Sequence, residues 1–298
     1  ARRSPDVKVA AVVGDILDDR KVEEVMERYA PDIVYHAAAY KHVHLMEEQP
    51  LDAITNNVLG TQVMARASLK AGVEKFVFIS TDKAVRPVGV MGRTKRVAED
   101  LLLALPRGRT SFVSVRFGNV LGSDGSVLPL FQRQIARCEP ITITDPDATR
   151  YFMLVAEAAQ LVLQAGNLGK GGEVFFLDMG EPIRIGELAD GLIRLSGLKP
   201  GEDVPVIVTG LRPGERLNEE LVRETEELLP SEHEKILTVA NPRFQPEIFF
   251  EDLKRLTERT NCRDEDGALE QLNFMTSAAE VSVLLASSDL LEKTAQRV

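Results

Sequence analysis

Cysteine is scarce. Cys138 and Cys262 are the two in 298 residues, too few and too far apart for a disulfide framework or a zinc knuckle. Basic charge is also short: 36 Lys and Arg stand against 46 Asp and Glu, a net charge of −10. That balance argues against a protein that grips nucleic acid through its phosphates. No apolar run reaches the roughly 18 residues needed to cross a bilayer. The opening Ala1-Arg2-Arg3-Ser4-Pro5-Asp6 has no apolar core of a signal peptide behind it, so a reducing cytoplasm is the expected location. What remains, 44% apolar and 28% charged residues, is the composition of a globular protein. The length suits one large α/β domain or two smaller ones.

Short apolar runs alternate with amphipathic stretches through the first half. Strands are predicted at Val7–Val13, Ile33–His36, Lys75–Ser80 and Ser111–Phe117. Helices are predicted from Asp18-Asp19 to Tyr29, from Leu51 to Ala71 with Gly72 as the stop, and from Val90 to Leu105. That order implies parallel strands with right-handed crossovers, buried on both faces. Gly118–Val127 reads as a loop. Beyond it, helices at 127–138, 155–165 and 185–196 and strands at 141–144, 173–177 and 204–208 suit a smaller α/β unit. The predicted division is 1–120, 121–275 with some elements returning to the first unit, and a tail at 276–298.

A dinucleotide-binding sheet begins with a strand and a glycine-rich turn that admits the pyrophosphate to a helix N-terminus. Here Val7–Val13 is followed by Gly14-Asp15-Ile16, which is no such cradle. Either the fold is of another kind, or its first strand-helix-strand-helix portion is not in this chain.

The remaining motifs favour the second reading. Ser80-Thr81-Asp82-Lys83 lies at a strand's carboxyl end, where open parallel sheets place their chemistry. A carboxylate, a hydroxyl and an amine together can supply acid and base. Met91 and Lys95 follow one helical turn apart on one face. A lysine so placed can hold a nicotinamide ribose and lower the pKa of a neighbouring acid. His42-Val43-His44 lacks a third ligand for a metal, so no metal site is expected. Glu219-Glu220 and Glu224, Glu226 and Glu227 read as a solvated helix face. Ser111 and Ser114 lack a nucleophile-elbow context.

Eight segments carry a family resemblance: 36–43 (HAAAYKHV), 57–61 (NVLGT), 80–85 (STDKAV), 91–96 (MGRTKR), 116–123 (RFGNVLGS), 149–153 (TRYFM), 177–180 (LDMG) and 210–217 (GLRPGERL). With these, the stretch from Val7 to Leu221 resembles the extended short-chain dehydrogenase/reductase superfamily. Within it, the chain is similar to the CapD-like polysaccharide biosynthesis proteins, nucleotide-sugar 4,6-dehydratases acting on UDP-N-acetylglucosamine. The resemblance implies a Rossmann-like doubly wound parallel sheet, here lacking its first strands, with a smaller α/β substrate domain. It also implies NAD or NADP as cofactor, a UDP-sugar substrate and a homo-oligomer. Membrane attachment is expected only through a portion preceding this chain.

The implied reaction takes hydride from C4 of the sugar, eliminates water across C5 and C6, and returns the hydride to C6. On this expectation Thr81 binds the C4 oxygen, Asp82 handles the departing C6 hydroxyl and Lys83 takes the C5 proton. The superfamily's tyrosine is replaced by Met91, whose thioether cannot accept a proton, so the C4 hydroxyl proton goes elsewhere. Expected cofactor contacts are Asp15, Ile16, Ala37, Ala38, Ala39, Asn57 and Lys95. Expected substrate contacts are Asn119, Thr142, Thr144, Arg150, Arg212 and Glu215, the arginines because their fork suits a pyrophosphate. The alternatives are a 4-epimerase, a dehydratase that inverts C5, and a catalytically silent nucleotide-sugar-binding fragment.

Overall fold

The computed structural model describes residues 7–106, 108–123, 125–223, 226–240 and 246–277. Helix α1 (Asp19–Tyr29) starts where Asp18 accepts a hydrogen bond from the Lys21 amide. Strand β1 (Ile33–His36) follows, then α2 (Val43–Glu48), α3 (Pro50–Ile54) and α4 (Gly60–Ala71). Between the last two the helix widens to one π turn at Thr55–Leu59, a device that redirects side chains and recurs at functional sites. Gly72, at φ 70°, closes α4 in the left-handed region.

Next come β2 (Lys75–Ile79), α5 (Val90–Ala104), β3 (Ser111–Arg116), β4 (Asn119–Leu121), α6 (Val127–Ala136), β5 (Ile141–Ile143), β6 (Thr149–Arg150), β7 (Phe152–Leu154) and α7 (Val155–Leu168). The chain continues through β8 (Glu173–Leu177), β9 (Ile183–Arg184), α8 (Ile185–Leu195), β10 (Val206–Val208), β11 (Glu227–Pro230), β12 (Ile236–Ala240) and α9 (Pro246–Asn261). A further helical run covers 265–277.

The main sheet has the order β1-β2-β3-β8-β12-β11. Its first four strands are parallel, and β12 and β11 add on antiparallel. Both faces are apolar because successive residues point to opposite sides. Phe76, Phe78 and Phe112 pack on Ala65 of α4 and Ala98 and Leu102 of α5. Val77, Val113 and Val115 pack on Ala158, Leu161 and Ala165 of α7. The outer side of α5 is covered by α9 and the 265–277 run, through Val97, Leu101, Leu253, Leu256 and Leu272.

Three small sheets, β5–β10, β4–β7 and β6–β9, stand beyond the carboxyl ends of the main strands. Phe131, Ile141, Ile143, Ile185, Ala189 and Ile193 form the core around β5–β10, α6 and α8, while Val120 and Met153 of β4–β7 join the cluster under α7. No helix among the described residues is long and apolar enough to cross a membrane.

The expected strand at Val7–Val13 is absent. These residues pair with nothing in the sheet, and Val9 and Val13 are 68% and 96% exposed. Strand-forming composition needs a neighbour to hydrogen-bond and a surface to cover, and β1 pairs only with β2 among the described strands. The tail expectation from 278 onward lies outside the described residues.

Candidate active site

The carboxyl ends of β1, β2 and β3 converge on one centre. After Ile79 the chain leaves β2, Ser80 and Thr81 follow, and Asp82–Ala84 forms one 3-10 turn. Thr81 Oγ1 caps that turn by accepting from the Lys83 amide at 3.3 Å, and it donates to Asp82 Oδ1 at 2.9 Å. Lys83 Nζ donates to the same Oδ1 at 3.0 Å. Its other neighbours are Asn119 Oδ1 and Glu219 Oε1, each at 3.4 Å. Burial pulls the Lys83 pKa down, but Asp82 and Glu219 outweigh it and the lysine sits above its ordinary value despite nearby Arg150.

Asp82 is 1% exposed, and its Oδ2 has no hydrogen-bond partner. That oxygen lies against Gly118: a methyl group there would stand 2.8 Å from Oδ2 and 3.3 Å from Tyr151 Cβ. The Tyr151 phenol is held above its ordinary range by partial burial and by Glu181 and Asp82.

Met91 and Lys95 open α5. Glu47 of α2 accepts from the Val90 amide at 2.6 Å, placing a carboxylate at the positive end of the helix. Met91 is 5% exposed and shares a pocket wall with Asp82, Lys83, Gly214 and Glu219. Lys95 turns to the sheet. Its Nζ donates to the Ile79 carbonyl at 2.6 Å and stands 3.9 Å over the Phe78 ring. Burial lowers its pKa to about 7, against the opposing pull of Glu99.

His36, at the end of β1, is 2% exposed and meets Thr61 Oγ1 at 3.0 Å. Thr61 gives its own proton to the Asn57 carbonyl at 2.7 Å, so the His36 Nε2 must carry the donor hydrogen. Burial and Lys95 lower the His36 pKa from 6.5 to about 3. Between those values the unfolded chain binds the proton and the folded one does not, so stability falls as pH drops through that window. His36→Gln is expected to flatten the slope of urea midpoint against pH between about 6.5 and about 3. An unchanged slope would contradict this assignment.

Asn57 sits in the π turn. Its amide accepts from the Tyr40 amide at 2.8 Å, donates to the Tyr40 carbonyl at 3.1 Å and to Thr94 Oγ1 at 3.0 Å. It thereby ties the loop after β1 to α5. In that loop Ala37 and Ala38 are exposed and Ala39 is half-buried. Asp15 is exposed and accepts from the Leu17 amide, and Ile16 packs onto Gly60.

The other expected residues are scattered. Arg150 is engaged: it donates to the carbonyls of Thr149, Arg216 and Leu217 at 2.7–2.9 Å, and its Nε lies 3.6 Å from Glu219. It fixes the 216–219 segment over the 82–84 turn. Thr142 bonds Gln134 of α6 through side chain and amide. Thr144 is half-buried at the end of β5. Arg212 is exposed on a turn whose amide bonds Glu215.

Two carboxylates read as solvated are not. The Glu219 side chain is 5% exposed and pairs with Lys83 and Arg150. The Glu226 side chain is 2% exposed and bridges Arg116 at 2.9 Å. Neither residue is helical. Glu219 lies two residues past the 210–217 segment, and that proximity was the signal available. Arg223, also unforeseen, donates to the Val85 and Ala84 carbonyls and pins the same strap to the 82–84 turn. Beneath it Arg116 clasps Glu99, which accepts from Ser80 Oγ at 2.5 Å.

The family model for "Polysaccharide biosynthesis protein" matches residues 2–241. This chain belongs to that family. The capsular polysaccharide biosynthesis protein CapD of Staphylococcus aureus is 53% identical over 232 residues, 77% of this chain and 39% of CapD. The probable polysaccharide biosynthesis protein EpsC of Bacillus subtilis is 53% identical over 215 residues, 72% of this chain and 36% of EpsC. The chain thus spans under two fifths of the length of these relatives. Among solved structures, Pen from Bacillus thuringiensis superposes with a TM-score of 0.70 at 36% identity, over 78% of this chain and 71% of Pen.

Proposed function

We propose that the site performs nucleotide-sugar 4,6-dehydration, on UDP-N-acetylglucosamine with NAD or NADP, for surface polysaccharide. The observation that carries this reading is the Asp82–Lys83 pair, 3.0 Å apart in a pocket lined by Met91 rather than tyrosine. Inverting C4 requires no acid and base at C5 and C6. Eliminating water requires both at once.

A dinucleotide fits these residues at one end. Ala37, Ala38 and Ala39 present nothing beyond Cβ outside the end of β1, and Lys95 stands beside the end of β2. These residues would hold the nicotinamide and its ribose; the sequence contains no glycine-rich turn for the pyrophosphate. When bound, the nicotinamide supplies hydride removal at C4 and its return at C6.

The chain's own residues handle protons. Thr81 Oγ1, already donating to Asp82 at 2.9 Å, can accept from the C4 hydroxyl and relay its proton to that carboxylate. This replaces the phenolate route that Met91 forecloses. Asn119, Arg212 and Glu215 are proposed to face the nucleotide sugar, with Thr142 and Thr144 nearer the base. Arg150 serves by holding the strap through its carbonyls.

The test is product analysis by mass spectrometry and NMR after incubation with UDP-N-acetylglucosamine and either dinucleotide. A 4-keto-6-deoxy sugar, lighter by one water, is expected. An isomer inverted at C4 would establish epimerisation instead.

A further inference from the structure

We propose that Glu219 is a further catalytic residue, taking the C5 proton and returning it, while Lys83 gives the proton that leaves with the C6 hydroxyl. This rests on the dehydratase reading and exchanges the part expected of Lys83 for another.

A lysine acts as a base only through a free lone pair. Lys83 Nζ faces oxygen acceptors on Asp82, Asn119 and Glu219 at 3.0–3.4 Å. Asp82 and Asn119 accept hydrogen bonds from it and Glu219 stands at ion-pair distance, a surrounding made only of acceptors, which suits a protonated amine. Two carboxylates facing one amine favour the same charged state, and Arg150, 3.6 Å from Glu219, is the cation opposing it. So arranged, Lys83 is a donor.

Asp82 is poorly placed to attack C5. Its Oδ1 already accepts from Thr81 and Lys83, and its Oδ2 is sealed against Gly118. Glu219 lines the same pocket as Lys83, and its hold on Nζ is looser than that of Asp82, 3.4 Å against 3.0 Å. Glu220 of the same pocket is taken up by Arg86 and Arg216, whereas both cations of Glu219 meet Oε1, which leaves Oε2 to meet a sugar proton beside the lysine.

The protons balance. Oxidation at C4 sends the hydroxyl proton through Thr81 to Asp82. The C5–H bond breaks with its proton going to Glu219 and its electron pair forming the C5–C6 double bond. As the C6–O bond breaks, the oxygen takes a proton from Lys83 and leaves as water. On reduction at C6, Glu219 returns its proton to C5 on the face it left, which preserves configuration there. Asp82 then passes its proton to Lys83, and every group ends as it began.

The test is made in deuterium oxide with UDP-N-acetylglucosamine and NAD, following C5 label, product, and reduced nicotinamide by absorbance. Glu219→Gln is expected to lose C5 exchange and to form product about 10²–10⁴-fold more slowly, while C4 oxidation persists. Glu219→Asp, which keeps the charge but withdraws it by one methylene, is expected to exchange C5 more slowly than the unaltered protein. A second readout needs no turnover: in NMR of reductively methylated lysines, Glu219→Gln should lower the Lys83 pKa. C5 exchange at the unaltered rate in either variant would overturn the proposal and leave Glu219 a strap. No 4-keto-6-deoxy product from the unaltered protein would instead overturn the dehydratase reading itself.

Discussion

Replacing Lys83 by methionine is expected to stop water loss at C6, slowing product formation by about 10²–10⁴-fold, while C5 still exchanges with solvent deuterium. Methionine fills a similar volume but offers the departing oxygen no proton. The C5 base is a different group, so abstraction and return continue on the 4-keto sugar. Loss of exchange together with product would return Lys83 to the role of base expected from the sequence. Deuterium content at C5 and product yield, measured on one sample, separate the two.

Arg116→Met is expected to destabilise the fold by about 3–5 kcal/mol, because it leaves buried Glu99 without its paired cation and takes from buried Glu226 the nearest of its three arginines. Arg116 is 1% exposed, bonds Glu99 at 2.7–3.1 Å and bonds Glu226 at 2.9–3.0 Å. Both carboxylate side chains are nearly as inaccessible, at 1% and 2%. Methionine removes their shared cation without restoring water. Adding Glu226→Gln should recover part of the loss, since contacting residues are not additive. Urea unfolding at neutral pH is the measurement; a midpoint corresponding to less than about 1 kcal/mol would show that water reaches these carboxylates.

The three parallel strands from β1 to β3 were legible because their apolar residues face both sides, which requires helices above and below. The ends of α1 and α4 were legible in Asp18 and Gly72, whose capping geometry is local. Val7–Val13 misled because its composition is that of a strand, but no strand lies beside it among the described residues. β12 was missed because its pairing with β8 is set by contacts far along the chain, and β11 has only β12 to pair with. In the site, Asp82 and Lys83 stood out as neighbours in sequence. Glu219 did not, because its meeting with Lys83 depends on Arg150 and Arg223 holding the 216–223 segment against the turn that follows β2. Glu226 looked solvated for the same reason: its nearest cation, Arg116, lies 110 positions away on β3.

The most direct test uses UDP-N-acetylglucosamine deuterated at C4. If the pocket above β2 removes hydride from C4, eliminates water through its proton-handling cluster and delivers the same hydride to C6, the label ends on the new methyl group. Label found at C4 of an inverted sugar, or left on unchanged substrate, would contradict the account.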